Sequence, residues 1–180
     1  GEQPLASYTA CNLGNLNLMK FVNDDGSFDH KSLGDATRVA TRFLDNVIEY
    51  NMQNHALPKI RDAVESDRRV GLGITGMADA LVLMRKQYDS QGALDAVEEI
   101  MQTICYNSYE TSIDLAKEKG SFPLFDWDGL SKSKFIQGLP SKIQERIKER
   151  GLRNCTLITM PPVGTGSIVA QTSSGIEPIF

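Results

Sequence analysis

The sequence predicts an α/β fold dominated by helix, laid out as part of a larger α/β barrel and not as a sheet that closes on itself. Three observations predict it. Two long stretches, residues 32–48 and 91–115, carry apolar residues at helical spacing. Only two or three short stretches read as strands, too few to close a sheet. The last part of the chain, Arg153 to Pro178, reads as a buried strand, a tight Pro/Gly turn and a short helix.

In chain order, residues 1–10 read as extended. From Cys11 to Val22, Leu13, Leu16 and Leu18 are interleaved with Asn12, Asn15 and Asn17, which predicts a short strand. Asn23 to Gly26 is a turn. Ser32 is the expected cap of a long helix, with Asp35 as its capping-box partner and Leu33, Ala36, Ala40, Phe43, Leu44, Val47 and Ile48 as its apolar stripe. Pro58 opens a shorter helix that runs to about Arg68. A helix is expected from about Ile74, in a stretch that carries Met77, Leu81, Leu83 and Met84, with Met77 and Met84 as core filler. Asp89 or Ser90 caps the longest helix, whose buried side is expected to hold Leu94, Val97, Met101, Ile104, Cys105, Ser108, Ser112 and Leu115, with Gly120 as its left-handed C-cap. Residues 122–135, with Trp127, read as a loop, and a helix follows from Pro140 to Gly151. A strand over about Asn154–Thr159 leads into the terminal turn and helix. No internal repeat stands out.

Composition narrows the function classes. The 180 residues are 41% hydrophobic and 23% charged, ordinary for a globular protein. A formal net charge of -4 argues against a general nucleic-acid binder. The nearest thing to a basic run, Lys142 to Arg150, is broken by Glu145 and Glu149 and reads as a solvated helix face. No stretch reaches the length of a membrane span, and the first residues resemble neither a signal nor a transit peptide. Cys11, Cys105 and Cys155 lie far apart with no metal-type spacing, so a reduced, cytoplasmic setting is expected and a zinc site is not. Both ends read as cuts through a longer chain, so residues 1–180 are taken as a single segment of it.

Two motifs invite a ligand. Gly71-Leu-Gly73-Ile-Thr-Gly76 has the pattern of a dinucleotide fingerprint, but the polar run Ser66 to Arg69 stands where that fingerprint needs a buried strand. Glycines that let helices pack closely explain it better. The turn Val163, Gly164, Thr165, Gly166 and Ser167 offers free backbone N–H groups and two hydroxyls at a helix start, which suits a phosphate; a plain strand-to-helix turn is the equal alternative. No Lys follows the glycines, so it is not a Walker loop. Cys105 and Cys155 read as core thiols, and His30 and His55 are assigned no chemistry. From composition alone Cys11 is an ordinary buried thiol.

Taken together, Gly1-Glu-Gln-Pro-Leu, Ala10 to Leu18, Arg69 to Asp79 and Arg153 to Pro178 resemble the catalytic subunit of ribonucleotide reductase, and most closely its class II, adenosylcobalamin-dependent form. The resemblance covers nearly the whole chain and is weakest over residues 121–150. It implies a ten-stranded α/β barrel of the ribonucleotide reductase and glycyl-radical-enzyme type, with a loop through its centre that carries an Asn-x-Cys-x-Glu motif. Glu2 matches the Glu of that motif, and its radical-bearing cysteine would stand just before Gly1. Cys11 matches the redox cysteine, whose partner lies upstream. Val163, Gly164, Thr165, Gly166 and Ser167 match the turn that holds the substrate's phosphates. The implied partners are a ribonucleotide and a dithiol reductant such as thioredoxin. Oligomeric state, including a dimer, and diphosphate or triphosphate substrate are left open. A class I large subunit and a non-catalytic nucleotide-binding paralogue are the competing readings.

Overall fold

The six residues Val70–Thr75 form a strand, β2, every residue of which is buried. They pair in parallel with β1, Asn12–Asn17, in a register that sets Leu13 against Gly71 and Asn15 against Gly73. Successive side chains point to opposite faces. Val70, Leu72 and Ile74, all 0–1% exposed, form the core face, and the other face is bare at Gly71 and Gly73. This corrects the expected helix from Ile74 and the reading of these glycines as helix-packing residues. A strand buried on both faces needs no polar alternation, so its pattern does not announce it. The helix starts only after Gly76, whose φ of 75° is one a side chain rarely adopts, and it spans Met77–Leu83 (α3).

The computed structural model describes residues 2–179; Gly1, the first residue of the Gly-Glu-Gln-Pro run, and Phe180 lie outside the described residues. A 3-10 turn at Leu18–Phe21 follows β1, then α1 at His30–Asn51 and α2 at Pro58–Asp67. After α3 come α4 at Gln91–Lys119, the short α5 at Trp127–Leu130 and α6 at Lys134–Gln137, α7 at Ser141–Arg150 and α8 at Gly164–Ala170. The result is mostly helix with a two-stranded parallel sheet, consistent with part of an α/β barrel.

Helices α1 and α4 pack side by side. Their contacts advance together, from His30 with Thr103 through Thr41 with Ser108 to Asn46 with Lys119, so the two run parallel. That is what successive strand–helix units require when their strands are parallel. Asp29, not Ser32, caps α1: its carboxylate accepts the Ser32 N–H at 2.9 Å, while the Ser32 hydroxyl donates back to it at 2.6 Å. The buried stripe of α1 is Leu33, Thr37, Thr41, Leu44, Asp45 and Ile48. Thr37 and Thr41 bury their hydroxyls on the carbonyls one turn back, which hides them from a purely apolar count. Phe43, expected in the core, is 64% exposed and lines an open groove with Leu13, Val39 and Ala40. In α4, capped by Ser90, the first buried residues are Ala93, Ala96 and Ile100, while Leu94 is exposed. The expected loop at 122–135 holds α5 and the start of α6. The expected strand at 154–159 is extended but irregular. Val70 donates to Thr156 O and Leu72 to Leu157 O, so β2 advances two residues while its neighbour advances one. Only Ile158 keeps a parallel bridge, to Leu72.

Candidate functional site

The bare face of β2 is the floor of the site. A Cβ on Gly71 would meet Cys11 Sγ at 2.9 Å, Leu13 at 2.6 Å and Thr159 Cγ2 at 2.7 Å; one on Gly73 would meet Asn15 Oδ1 at 2.5 Å and Pro161 at 3.0 Å. Any side chain would therefore displace the walls. Packed side chains fill the trough over these glycines, from the thiol beside Gly71 to Pro161, and the terminal turn follows Pro161.

At the thiol end, Cys11 is half-buried. Its Sγ–H donates to Gln3 Oε1 at 3.7 Å. The Gln3 amide donates to Val70 O at 3.1 Å and Ile158 O at 2.9 Å, closing the gap left by the irregular register. Asp67 accepts from Thr9 Oγ1 at 2.7 Å and Arg69 Nε at 3.3 Å, and Arg69 Nη1 reaches Gln3 Oε1 at 3.5 Å. Burial pushes the Cys11 thiol up to about 11; Arg69 works against this, and the charges of Cys155, Asp67 and Glu2 add to it. Burial likewise pushes Cys155 up to about 11. Cys11 is thus a protonated thiol at neutral pH, suited to giving up hydrogen and electrons and not to acting as a resting thiolate nucleophile. Glu2 is exposed. Cys105 lies buried on α4 as expected.

At the other end, Val163 is the N-cap of α8 and is buried, while Gly164, Thr165 and Gly166 are exposed. The Val163 N–H is taken by Ser174 Oγ at 3.0 Å, and the Ser167 hydroxyl turns inward to Gly164 O at 2.8 Å. The groups left facing outward are the Gly164, Thr165 and Gly166 amides and the Thr165 hydroxyl. The return loop is fastened to the end of β2. Thr75 Oγ1 donates to Ser173 O at 2.8 Å, Gly76 N–H donates to the same oxygen at 2.9 Å, and Asp79 accepts the Ser173 N–H at 2.6 Å.

Cys11 therefore stands at the Gly71 end of the glycine face, the exposed Glu2 is near enough for its charge to act on that thiol, and Val163 to Ser167 follow Pro161, which packs over Gly73. The fold adds Gln3, Asp67, Arg69 and Thr159, none of which the residue patterns had singled out for a site, and the floor glycines Gly71 and Gly73, which had been set aside as packing residues. One signal was available: glycines two apart in a strand leave one face bare. Among the described residues no group of three or more His, Cys, Asp or Glu could hold a metal ion, and no helix is long and apolar enough to cross a membrane.

Comparison with known proteins identifies the family of the chain. The profile of the ribonucleotide reductase barrel domain matches residues 1–180. A vitamin B12-dependent ribonucleoside-diphosphate reductase of Thermoplasma acidophilum is 41% identical over 180 residues, covering 100% of this chain and 21% of the relative. The enzyme of the same description from Mycobacterium tuberculosis is 34% identical over 180 residues, covering 100% and 23%. A ribonucleoside-diphosphate reductase subunit alpha of Chlamydia muridarum is 32% identical over 192 aligned residues, covering 94% and 18%. The chain thus spans about a fifth of the length of the relatives it matches.

Proposed function

The chain belongs to the ribonucleotide reductase barrel-domain family, and we propose that the whole protein reduces ribonucleotides to deoxyribonucleotides by thiyl-radical chemistry, with adenosylcobalamin as the radical source. The observation that carries this reading is the full-length family match combined with a protonated Cys11 held over a glycine floor next to Glu2. The B12-dependent names of the relatives at 41% and 34% identity favour the class II form, and their diphosphate names favour a ribonucleoside diphosphate.

When bound, adenosylcobalamin supplies the radical. The described residues present no metal-ligand set of their own, and the steps assigned here belong to this chain's side chains. After the motif's cysteine has removed the ribose 3′-hydrogen as a thiyl radical, Glu2 takes the 3′-hydroxyl proton, which assists departure of the 2′-hydroxyl as water. Cys11 and its upstream partner thiol give up two electrons and two hydrogens and end as a disulfide; one hydrogen leaves in the water, the other replaces the hydroxyl at C2′, and the motif's cysteine returns the abstracted hydrogen to C3′ and is again a thiyl radical, while Glu2 returns its proton to the 3′-oxygen. A dithiol such as thioredoxin then restores the pair. The outward amides at Gly164, Thr165 and Gly166 hold the phosphates, with the Thr165 hydroxyl as the available side-chain donor. From Gly71 to the end of β2 is four residues, about 13 Å of strand, a span that suits a ribose at the thiol and phosphates at the turn. This positioning puts the sugar in register with the reacting groups. Three free thiols fit a reducing, cytoplasmic setting. Residues 1–180 alone are expected to form no deoxynucleotide.

The test is ribonucleotide reduction by the full-length protein with a dithiol reductant, with and without adenosylcobalamin. Cobalamin-dependent product, lost in Cys11→Ser, supports the reading. Product that instead requires a separate radical-generating subunit points to class I, and nucleotide binding without product points to a non-catalytic paralogue.

A further inference from the structure

We propose that Gln3 is the positioning residue for the Cys11 thiol. This rests on the reading of Cys11 as the redox thiol and goes beyond it. Three observations meet at this one side chain. Its amide nitrogen donates to two backbone carbonyls on different segments, Val70 O and Ile158 O. Its carbonyl oxygen accepts the Cys11 thiol at 3.7 Å and the Arg69 guanidinium at 3.5 Å. And it follows Glu2 directly in the chain. The two ends of an amide are chemically distinct: the nitrogen can only donate and the oxygen can only accept. Two carbonyls at hydrogen-bond distance from the nitrogen therefore fix which end faces the thiol.

The Gln3 side chain has two separable jobs. The donor end fastens the Glu2-bearing segment across the irregular seam between β2 and residues 154–159, where the ladder leaves Val70 O without a regular backbone partner. The Thr156 hydroxyl reaches that oxygen only at 3.3 Å, so the Gln3 bond at 3.1 Å is the closer of the two. The acceptor end orients the S–H bond of Cys11 and keeps Arg69 turned toward Gln3. The groups facing the thiol are Arg69 and Asp67 at the start of β2, Cys155 from the adjoining segment and Glu2 from its own. Of these only Arg69 favours the thiolate. Burial keeps the thiol protonated, and Gln3 keeps it aimed until the substrate arrives.

The test uses the full-length protein with Gln3→Ala, Gln3→Met and Gln3→Glu, beside Cys11→Ser. Turnover with a dithiol and nucleotide is followed, together with the pH dependence of Cys11 alkylation by iodoacetamide, read on the Cys11 peptide by mass spectrometry. Gln3→Ala and the volume-keeping Gln3→Met are expected to cut kcat by about 10- to 100-fold, the usual cost of a small misplacement of a reacting group. The phosphate turn is untouched, so KM for nucleotide stays within about two-fold. Their alkylation midpoint falls, because Arg69 is released from Gln3 toward the thiolate, and the S–H bond turns to its other acceptor, Asn12 O at 3.8 Å. Gln3→Glu keeps the acceptor and lacks the donors; its alkylation midpoint stays at or above the wild-type value while kcat remains low. A merely structural role would shift the midpoint alike in Gln3→Ala and Gln3→Glu, and that result overturns the proposal. So does wild-type kcat in Gln3→Ala when Cys11→Ser is inactive. If Cys11→Ser itself turns over normally with the dithiol, the reading of Cys11 fails first and takes the proposal with it.

Discussion

At its first residues β2 is held by charged and amide side chains; at its last it is held by hydroxyls and backbone. The difference follows burial. Just before β2, Arg68 has a left-handed backbone (φ 47°) and its guanidinium donates to the fully buried Asp45 at 2.8 Å. Arg153 reaches Asp45 at 3.4 Å and Glu49 at 2.5 Å, Lys119 reaches Asp45 at 3.4 Å, and Asn154 bridges Asp45 and Arg68 O. One carboxylate thereby ties α1, the end of α4, the approach to β2 and the segment beside it. Around Thr75 the bonds are neutral ones to Ser173, with Asp79 the one carboxylate. The first end is closed by a buried ion-pair network. The second leaves amides free at Gly164 to Gly166. A strand with a closed start and an open finish can carry reacting groups at one end and a ligand at the other.

The sharpest way to break this contrast is at Asp45. Asp45→Ala leaves the buried Arg68 and Arg153 guanidinium groups with the half-exposed Glu49 as their remaining carboxylate partner and is expected to cost about 3 kcal/mol. Hydrogen–deuterium exchange on peptides from α1 and β2 in the full-length protein would report it. Burial pushes the Asp45 carboxyl up, but the Arg68 hydrogen bond, the charges of Arg68 and Arg153 and the Asn154 bond outweigh it and hold it below 3.8. Its stabilisation is therefore present above the unfolded carboxylate range and lost as pH falls through the lower folded value. Exchange protection at the first end of β2 should fail on acidification before that at the second.

Between the ends, Gly73→Ala drives a Cβ onto Asn15 and Pro161 and is expected to cost about 1–3 kcal/mol as overpacking. A larger nucleotide KM should accompany it if the trough is the ribose path. At the open end, Thr75→Val removes the hydroxyl bonds to Ser173 O and Thr172 Oγ1, worth about 1 kcal/mol. It should raise nucleotide KM while leaving Cys11 alkylation unchanged, which separates the two ends functionally. The smallest expected effect is at Cys155. A thiol raised to about 11 when folded and about 9 when unfolded stabilises fully below pH 9, and that contribution is lost as pH rises toward 11. Cys155→Ala should make the alkaline loss of exchange protection shallower; an unchanged alkaline limb would show that Cys155 ionises in the fold as freely as outside it.

Much of this fold was legible from local chemistry. Pro58 and Ser90 start helices where expected, and the Cys11–Asn17 alternation is a strand. The misplacements share one cause, which is partnership at a distance. Gly71 to Thr75 has too little side chain to register as a strand, and it is one only because Asn12–Asn17 and residues 154–159 flank it. Ala93 and Ala96 outrank Leu94 in burial because the helices packed against α4, α1 and α7, decide which of its faces is inward. Asp29 caps α1 in place of Ser32, a choice between two capable residues three positions apart that local spacing leaves undetermined.

The sequence by itself determined the long helices, the first strand, the ordinary globular composition, the three thiols and the four ordered blocks that mark the family, because each is written in residues near one another. Only the tertiary structure decided that Val70–Thr75 is a strand, that Gln3 meets Cys11, Val70 and Ile158, and that Asp45 meets Arg68 and Arg153. Only it decided that two glycines form the floor on which Cys11, Leu13, Asn15 and Thr159 pack. The physical reason is that hydrogen bonds and excluded volume act over a few ångströms. The residues they join here are separated by as many as 155 positions along the chain, and only the completed fold brings them within reach.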